Sequence, residues 1–173
     1  MSSIVAVCAS HRRTDPKKDV GEGYLREGYG LKGDAHAGLS EREVSLLAWE
    51  SIERLNLALS QAEGKEHGIK AAPGDFAENL TTLGIDLVSL PIGARLRAGE
   101  AVLEVVQIGK PPDVTHTYSF QGLSILPTEG IFCRVIEGGQ VRRGDEIVVK
   151  SVTNPSTRLR TGFTNQHEGK SMN

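Results

Sequence analysis

Apolar residues along this chain follow two rhythms. In one stretch Ala48, Ile52, Leu55, Leu59 and Ala62 step by three and four residues, while Glu50, Glu53 and Arg54 fall off the stripe. Side chains spaced in this way share one face of an α-helix. Gly64 follows Glu63, where a helix would stop. The spacing predicts one helix over residues 47–63 with its apolar stripe buried.

Elsewhere the apolar runs are short and punctuated by glycine. Ile4 to Cys8, Asn79 to Leu83, Ala94 to Ala98, Ala101 to Ile108, Ile131 to Ile136 and Glu146 to Lys150 read as strands. Two of them meet at Gly99, and Gly138-Gly139 separates another pair. With one principal helix and at most a few short ones, alternating βα units fit poorly. A mainly β, barrel-like or sandwich domain fits better. Residues 14–30 are polar and basic with scattered glycine, the composition of a long surface excursion of the kind that often carries function. From Ser151 onward Ser, Thr, Asn, Gly and basic residues replace any period. The expected division is therefore one domain over 1–150 and a polar, disordered tail over 151–173.

Composition and charge narrow the partners. The 173 residues suit one domain with a real core. Twenty Lys and Arg against 22 Asp and Glu leave no electrostatic footprint for a polyanion, so nucleic acid is not an expected partner. The first residues lack a basic leader pattern and no later run approaches a membrane span, which predicts a cytoplasmic protein with no membrane contact. The two cysteines, Cys8 and Cys133, form neither a CxxC nor a Cys/His pair at zinc spacing, so neither a disulfide framework nor a zinc site is evident.

Four segments carry a more specific signal when taken in order. They are Gly30-Leu31-Lys32-Gly33-Asp34-Ala35-His36-Ala37-Gly38, then Arg42-Glu43-Val44-Ser45-Leu46-Leu47, then Pro73-Gly74-Asp75-Phe76-Ala77-Glu78-Asn79-Leu80-Thr81-Thr82, and last Gly138-Gly139-Gln140-Val141-Arg142-Arg143-Gly144-Asp145-Glu146-Ile147. Jointly they resemble the MOSC family, the molybdenum cofactor sulfurase C-terminal domain, over residues 4–150, as a stand-alone bacterial-type member. The resemblance implies a barrel-like fold, similar to the pyruvate-kinase β-barrel, with a pocket. It also implies sulfur handling, a family association with pyridoxal phosphate, and the molybdenum cofactor, a pterin dithiolene carrying a metal and a phosphate. The implied partners are that small molecule and molybdenum-cofactor enzymes or cofactor-synthesis proteins. In several branches a cysteine carries persulfide or contacts molybdenum, and a thiolate suits both tasks. Here the segment where the most similar branch keeps cysteines reads Gly109-Lys110-Pro111-Pro112-Asp113-Val114-Thr115-His116-Thr117-Tyr118 and contains none.

The candidate residues each have a functional and a structural explanation. Asp34 and His36 stand two apart, so on an extended segment both project to one side and one orients the other. They either serve an anionic cofactor and a proton, or hold the loop by hydrogen bonds. Glu78 and Asn79 offer an acceptor beside a donor–acceptor amide, for a pterin edge or for turn building. Lys32, Arg42 and Lys110 are candidates for a cofactor phosphate, against a solvated surface. His116 is the metal candidate of the altered loop, against a solvated side chain. As sulfur carriers, Cys133 shares a strand face with Ile131 and Val135, which favours a buried, inert thiol. Cys8 at a strand end near His11, Arg12 and Arg13 has better surroundings for a thiolate. The leading expectation is cofactor binding in a pocket lined by Asp34, His36, Arg42, Glu78 and Asn79. The rivals are a sulfurtransferase with a relocated cysteine and a non-catalytic interaction module.

Overall fold

The computed structural model describes residues 1–63, 70–111 and 119–150. His116 and the stretch after Lys150 lie outside them. Eleven strands, two α-helices and one 3-10 turn over Leu87–Ser89 are formed by the described residues. Strand β1 (Ser3–Ala9) is followed by β2 (Lys18–Asp19), β3 (Glu22–Arg26), β4 (Gly30–Leu31) and β5 (Val44–Ala48). Helix α1 (Trp49–Glu63) leads to β6 (Leu80–Leu83), the hairpin β7 (Arg95–Ala98) and β8 (Ala101–Ile108), and the short α2 (Leu126–Glu129). The described chain ends with β9 (Ile131–Glu137), β10 (Gly139–Arg142) and β11 (Ile147–Lys150).

Eight strands make one mixed sheet in the order β11-β7-β8-β9-β5-β6-β1-β2. All neighbours are antiparallel except β5 and β6. The sheet curls back on itself, because the start of β1 bonds the start of β11: Ile4 N–H donates to Asp145 O at 2.8 Å and Ile147 N–H to Ser2 O at 3.1 Å. The barrel-like, mainly β fold expected from the sequence is the fold observed. Its interior holds Ile4, Leu46, Leu80, Leu96, Leu103, Val105, Ile131, Cys133 and Ile147, all buried in one cluster. Burying such apolar surface stabilises the fold by about 25 cal/mol per Å² removed from water.

Three sequence expectations need correction. The helix begins at Trp49, two residues after the expected start, because Val44-Ser45-Leu46-Leu47 is bonded as a strand on both edges, to β6 and β9. Leu46 faces the barrel interior while Leu47 faces a second cluster with Ile52, Phe76 and Phe132, so an unbroken apolar run serves both faces. The excursion over residues 14–30 holds three short strands and buries Lys17 and Leu25. Finally, Gly138 does not close a hairpin: β10 leaves β9 and pairs with β3 in a separate three-stranded sheet, β10-β3-β4.

Candidate functional site

Beside the apolar pair Leu47 and Phe132, the outer face of β5 and β6 carries the buried polar residues Ser45 and Thr81. Above it, the Gly33-Asp34-Ala35-His36 segment is a succession of turns rather than the extended stretch expected. Asp34 and His36 still meet, but through the backbone: His36 N–H donates to Asp34 Oδ2 at 3.3 Å. The Asp34 side chain is only 1% exposed and its carboxylate is fully engaged. Oδ1 accepts Ser10 N–H at 3.0 Å, and Oδ2 accepts the Lys17 ammonium at 2.8 Å.

Lys17, passed over in the sequence as one of a polar basic run, is the counter-ion that makes a buried Asp34 tolerable. Its own N–H donates to Gly74 O at 3.1 Å, which ties it to the Pro73-Gly74 turn. Burial alone would raise the Asp34 carboxyl. The Lys17 charge and hydrogen bond, with Ser10 and Asn79, outweigh burial and hold it below its ordinary value. At the other end of the pair burial outweighs the Asp34 and Glu78 charges and holds the Lys17 ammonium below its ordinary value. The His36 ring lies beside it, with Nδ1 at 3.8 Å from Asp34 Oδ2, longer than a hydrogen bond. Burial, followed by the positive charge of Lys17, holds His36 below its ordinary value. Arg13 and Lys110 add to this, while Asp34 opposes it.

Glu78 and Asn79 are placed underneath rather than at an opening. Glu78 is wholly buried, and its Oε1 accepts Gly74 N–H at 2.7 Å and the Thr81 hydroxyl at 2.8 Å. Its Oε2 accepts Phe76 N–H at 3.3 Å, so the carboxylate shapes the turn. Burial pushes its carboxyl up against those bonds. Asn79 joins β5 to β1: Oδ1 accepts Ser45 N–H at 3.1 Å and Nδ2 donates to Cys8 O at 3.3 Å. The polar atoms of both residues are thus engaged within the protein, by backbone and by neighbouring side chains.

Neither cysteine opens to solvent. Cys133 faces the barrel core as its alternation predicts, and burial pushes its thiol far up. Cys8 corrects the expectation of a thiolate-friendly strand end. The strand runs on through Ala9, Arg12 and Arg13 are exposed beyond it, and the thiol lies under Gly74 beside Glu78. Burial, then the Glu78 and Asp19 charges, push it far above its ordinary value.

Two cations converge on Phe132. Strand β9 lies between β5 and β8, so Phe132, opposite Ser45 on one side and Gln107 on the other, is flanked by the chain segments before β5 and after β8. Arg42 comes from the first and Lys110 from the second. The Arg42 guanidinium carbon sits 5.7 Å and the Lys110 ammonium 5.3 Å from the Phe132 ring centre. Among the described residues neither cation pairs with a carboxylate. Burial, then the Arg42 and Lys17 charges, hold Lys110 below its ordinary value. Two crowded cations with a shared ring and, among the described residues, no acidic partner make a place for an anion. Lys32 is not there; its ammonium lies 4.8 Å over the Tyr24 ring on the three-stranded sheet. Among the described residues no group of three or more His, Cys, Asp or Glu is placed to hold a metal ion. A recess of about 270 Å³ beside the α1 N-terminus is lined by other residues, Glu50, Ser51, Arg54 and Leu87 among them.

A family model for the MOSC domain matches residues 33–148, which include Asp34, His36, Arg42, Glu78, Lys110 and Phe132. This chain belongs to the MOSC domain family. Solved structures agree on the fold. The YuaD protein from Bacillus subtilis is 21% identical with TM-score 0.62, over 85% of this chain and 94% of that one. YiiM from Geobacillus stearothermophilus is 18% identical with TM-score 0.62, over 87% and 75%. YiiM from Escherichia coli is 23% identical with TM-score 0.56, over 87% and 70%. The sequence has no significant match among curated proteins. Lys17 lies before the matched span of this MOSC domain, and neither a period nor a motif marks it. No helix among its described residues is long and apolar enough to cross a membrane.

Proposed function

We propose that this MOSC domain binds the molybdenum cofactor by its phosphate-bearing end and serves in cofactor sulfuration, delivery or maturation. The observation that carries this reading is the convergence of Arg42 and Lys110 on Phe132 with no acidic partner among the described residues. A phosphate between them would restore the Lys110 charge that its neighbours oppose, and Arg42 can grip such a group in two-pronged fashion. The residues fit the anionic end of the group. The cofactor would itself supply molybdenum and dithiolene sulfur, while the chain supplies anion recognition and the His36 imidazole. Delivery is favoured over a sulfur relay through Cys8 or Cys133, because both thiols are buried and held protonated. Molybdenum-cofactor enzymes or cofactor-synthesis proteins are the partners this reading requires.

The test is anaerobic purification after co-expression with cofactor-synthesis enzymes, followed by molybdenum and pterin analysis. The parent should carry both. Arg42→Ala/Lys110→Ala should bind about ten- to a hundredfold more weakly while remaining folded, the loss expected for hydrogen bonds to a charged group. Equal molybdenum and pterin content in parent and variant, or none in either, would count against the reading.

A further inference from the structure

Lys17 is a fully buried lysine whose ammonium reaches Asp34 Oδ2, the same oxygen that accepts the His36 N–H and faces His36 Nδ1. Nδ1 is sealed from solvent without a hydrogen-bond partner, yet 29% of the His36 side chain is exposed, so the open edge of the ring lies away from Nδ1. We propose that Lys17 is a positioning residue of this site: paired with Asp34 beneath the turn, it fixes His36 with Nδ1 directed inward and Nε2 presented to the ligand. A proton on Nδ1 pointing to Asp34 leaves Nε2 as an acceptor, able to take a hydrogen bond or a proton from a bound group. His36 then adds a base beside Arg13 and Lys110, whose charges act on its ring, instead of a further cation.

The charged groups that act on the ring agree with this arrangement. Lys17, Arg13 and Lys110 oppose its protonation and Asp34 alone favours it. Removing Lys17 deletes a like charge beside the ring and so favours the imidazolium. The inference rests on the anion-binding reading above, but its test uses no ligand, so the two can fail separately.

The experiment is a nitrogen-15 titration of the imidazole signals in the full-length protein. In the parent His36 should show the Nδ1–H tautomer and a midpoint below the ordinary 6.5. Lys17→Met should move that midpoint up, and Lys17→Arg, which keeps the charge, should restore it toward the parent's. A lysine that does not position the ring would leave the tautomer in place in Lys17→Met. A parent with the proton on Nε2 would overturn the proposal, as would a folded Lys17→Met with midpoint and tautomer unchanged. Should Lys17→Met fail to fold, the parent's tautomer and the Lys17→Arg midpoint decide it.

Discussion

Asp34→Ala should destabilise the protein by about 3–5 kcal/mol in a denaturant titration, the cost of breaking one side of a buried ion pair. The side chains of Lys17 and Asp34 are only 2% and 1% exposed, so the abandoned ammonium cannot be rehydrated without local unfolding. The Ser10 and His36 N–H groups lose their acceptor at the same time. Replacing both charges, as in Lys17→Met/Asp34→Leu, should recover part of the loss, since an apolar pair leaves no charge unpaired. The pH dependence has a definite sign. The Asp34 carboxyl is held below its ordinary 3.8, so its contribution is complete above that value and is lost as the pH falls through the lower folded value. A loss under about 1 kcal/mol for Asp34→Ala would match an exposed pair and refute the burial argument.

Gly74→Ala should cost about 3 kcal/mol or more, because strain and collision act together. The residue has φ +92°, and a Cβ there would lie 2.3 Å from the Lys17 carbonyl oxygen and 2.8 Å from its carbon. Both are backbone atoms, which cannot rotate aside. Gly74 also donates to Glu78 and accepts from the Lys17 N–H, so displacing it moves the ion pair as well as the turn. Gly33→Ala is the control. Its φ of +86° brings the same kind of strain but a Cβ would meet nothing within 4 Å, so roughly 1–2 kcal/mol is expected. Equal costs for the two substitutions, measured by thermal or denaturant unfolding, would show that the contact with Lys17 contributes nothing.

Much of the barrel was legible because alternation is a local signal. Ile131, Cys133 and Val135 face the core as their spacing requires, and the β7–β8 turn falls at Gly99. The strand Val44–Ala48 was not legible, since a run apolar on both faces has no period and the helical stripe begins within it. Strands β2 to β4 are too short and too polar to stand out from a loop.

The site divides in the same way. Asp34, His36, Arg42 and Lys110 were found as chemistry-bearing residue types in a recognisable order, and the structure brings Arg42 and Lys110 together. Glu78 and Asn79 were found too, but their position in the turn consumes their polar atoms. Lys17 and Phe132 escaped notice because their importance is three-dimensional. A lysine in Asp15-Pro16-Lys17-Lys18 looks solvated until Asp34, far along the chain, closes over it. A core-like phenylalanine becomes part of the site only when two cations, from the segments before β5 and after β8, reach its ring.

The most direct measurement is an experimental structure of the MOSC domain with the cofactor bound. The cofactor's phosphate should lie within hydrogen-bonding distance of both Arg42 and Lys110, beside His36. A cofactor ordered instead in the recess beside Glu50 and Leu87, or with its phosphate held by neither cation, would contradict it.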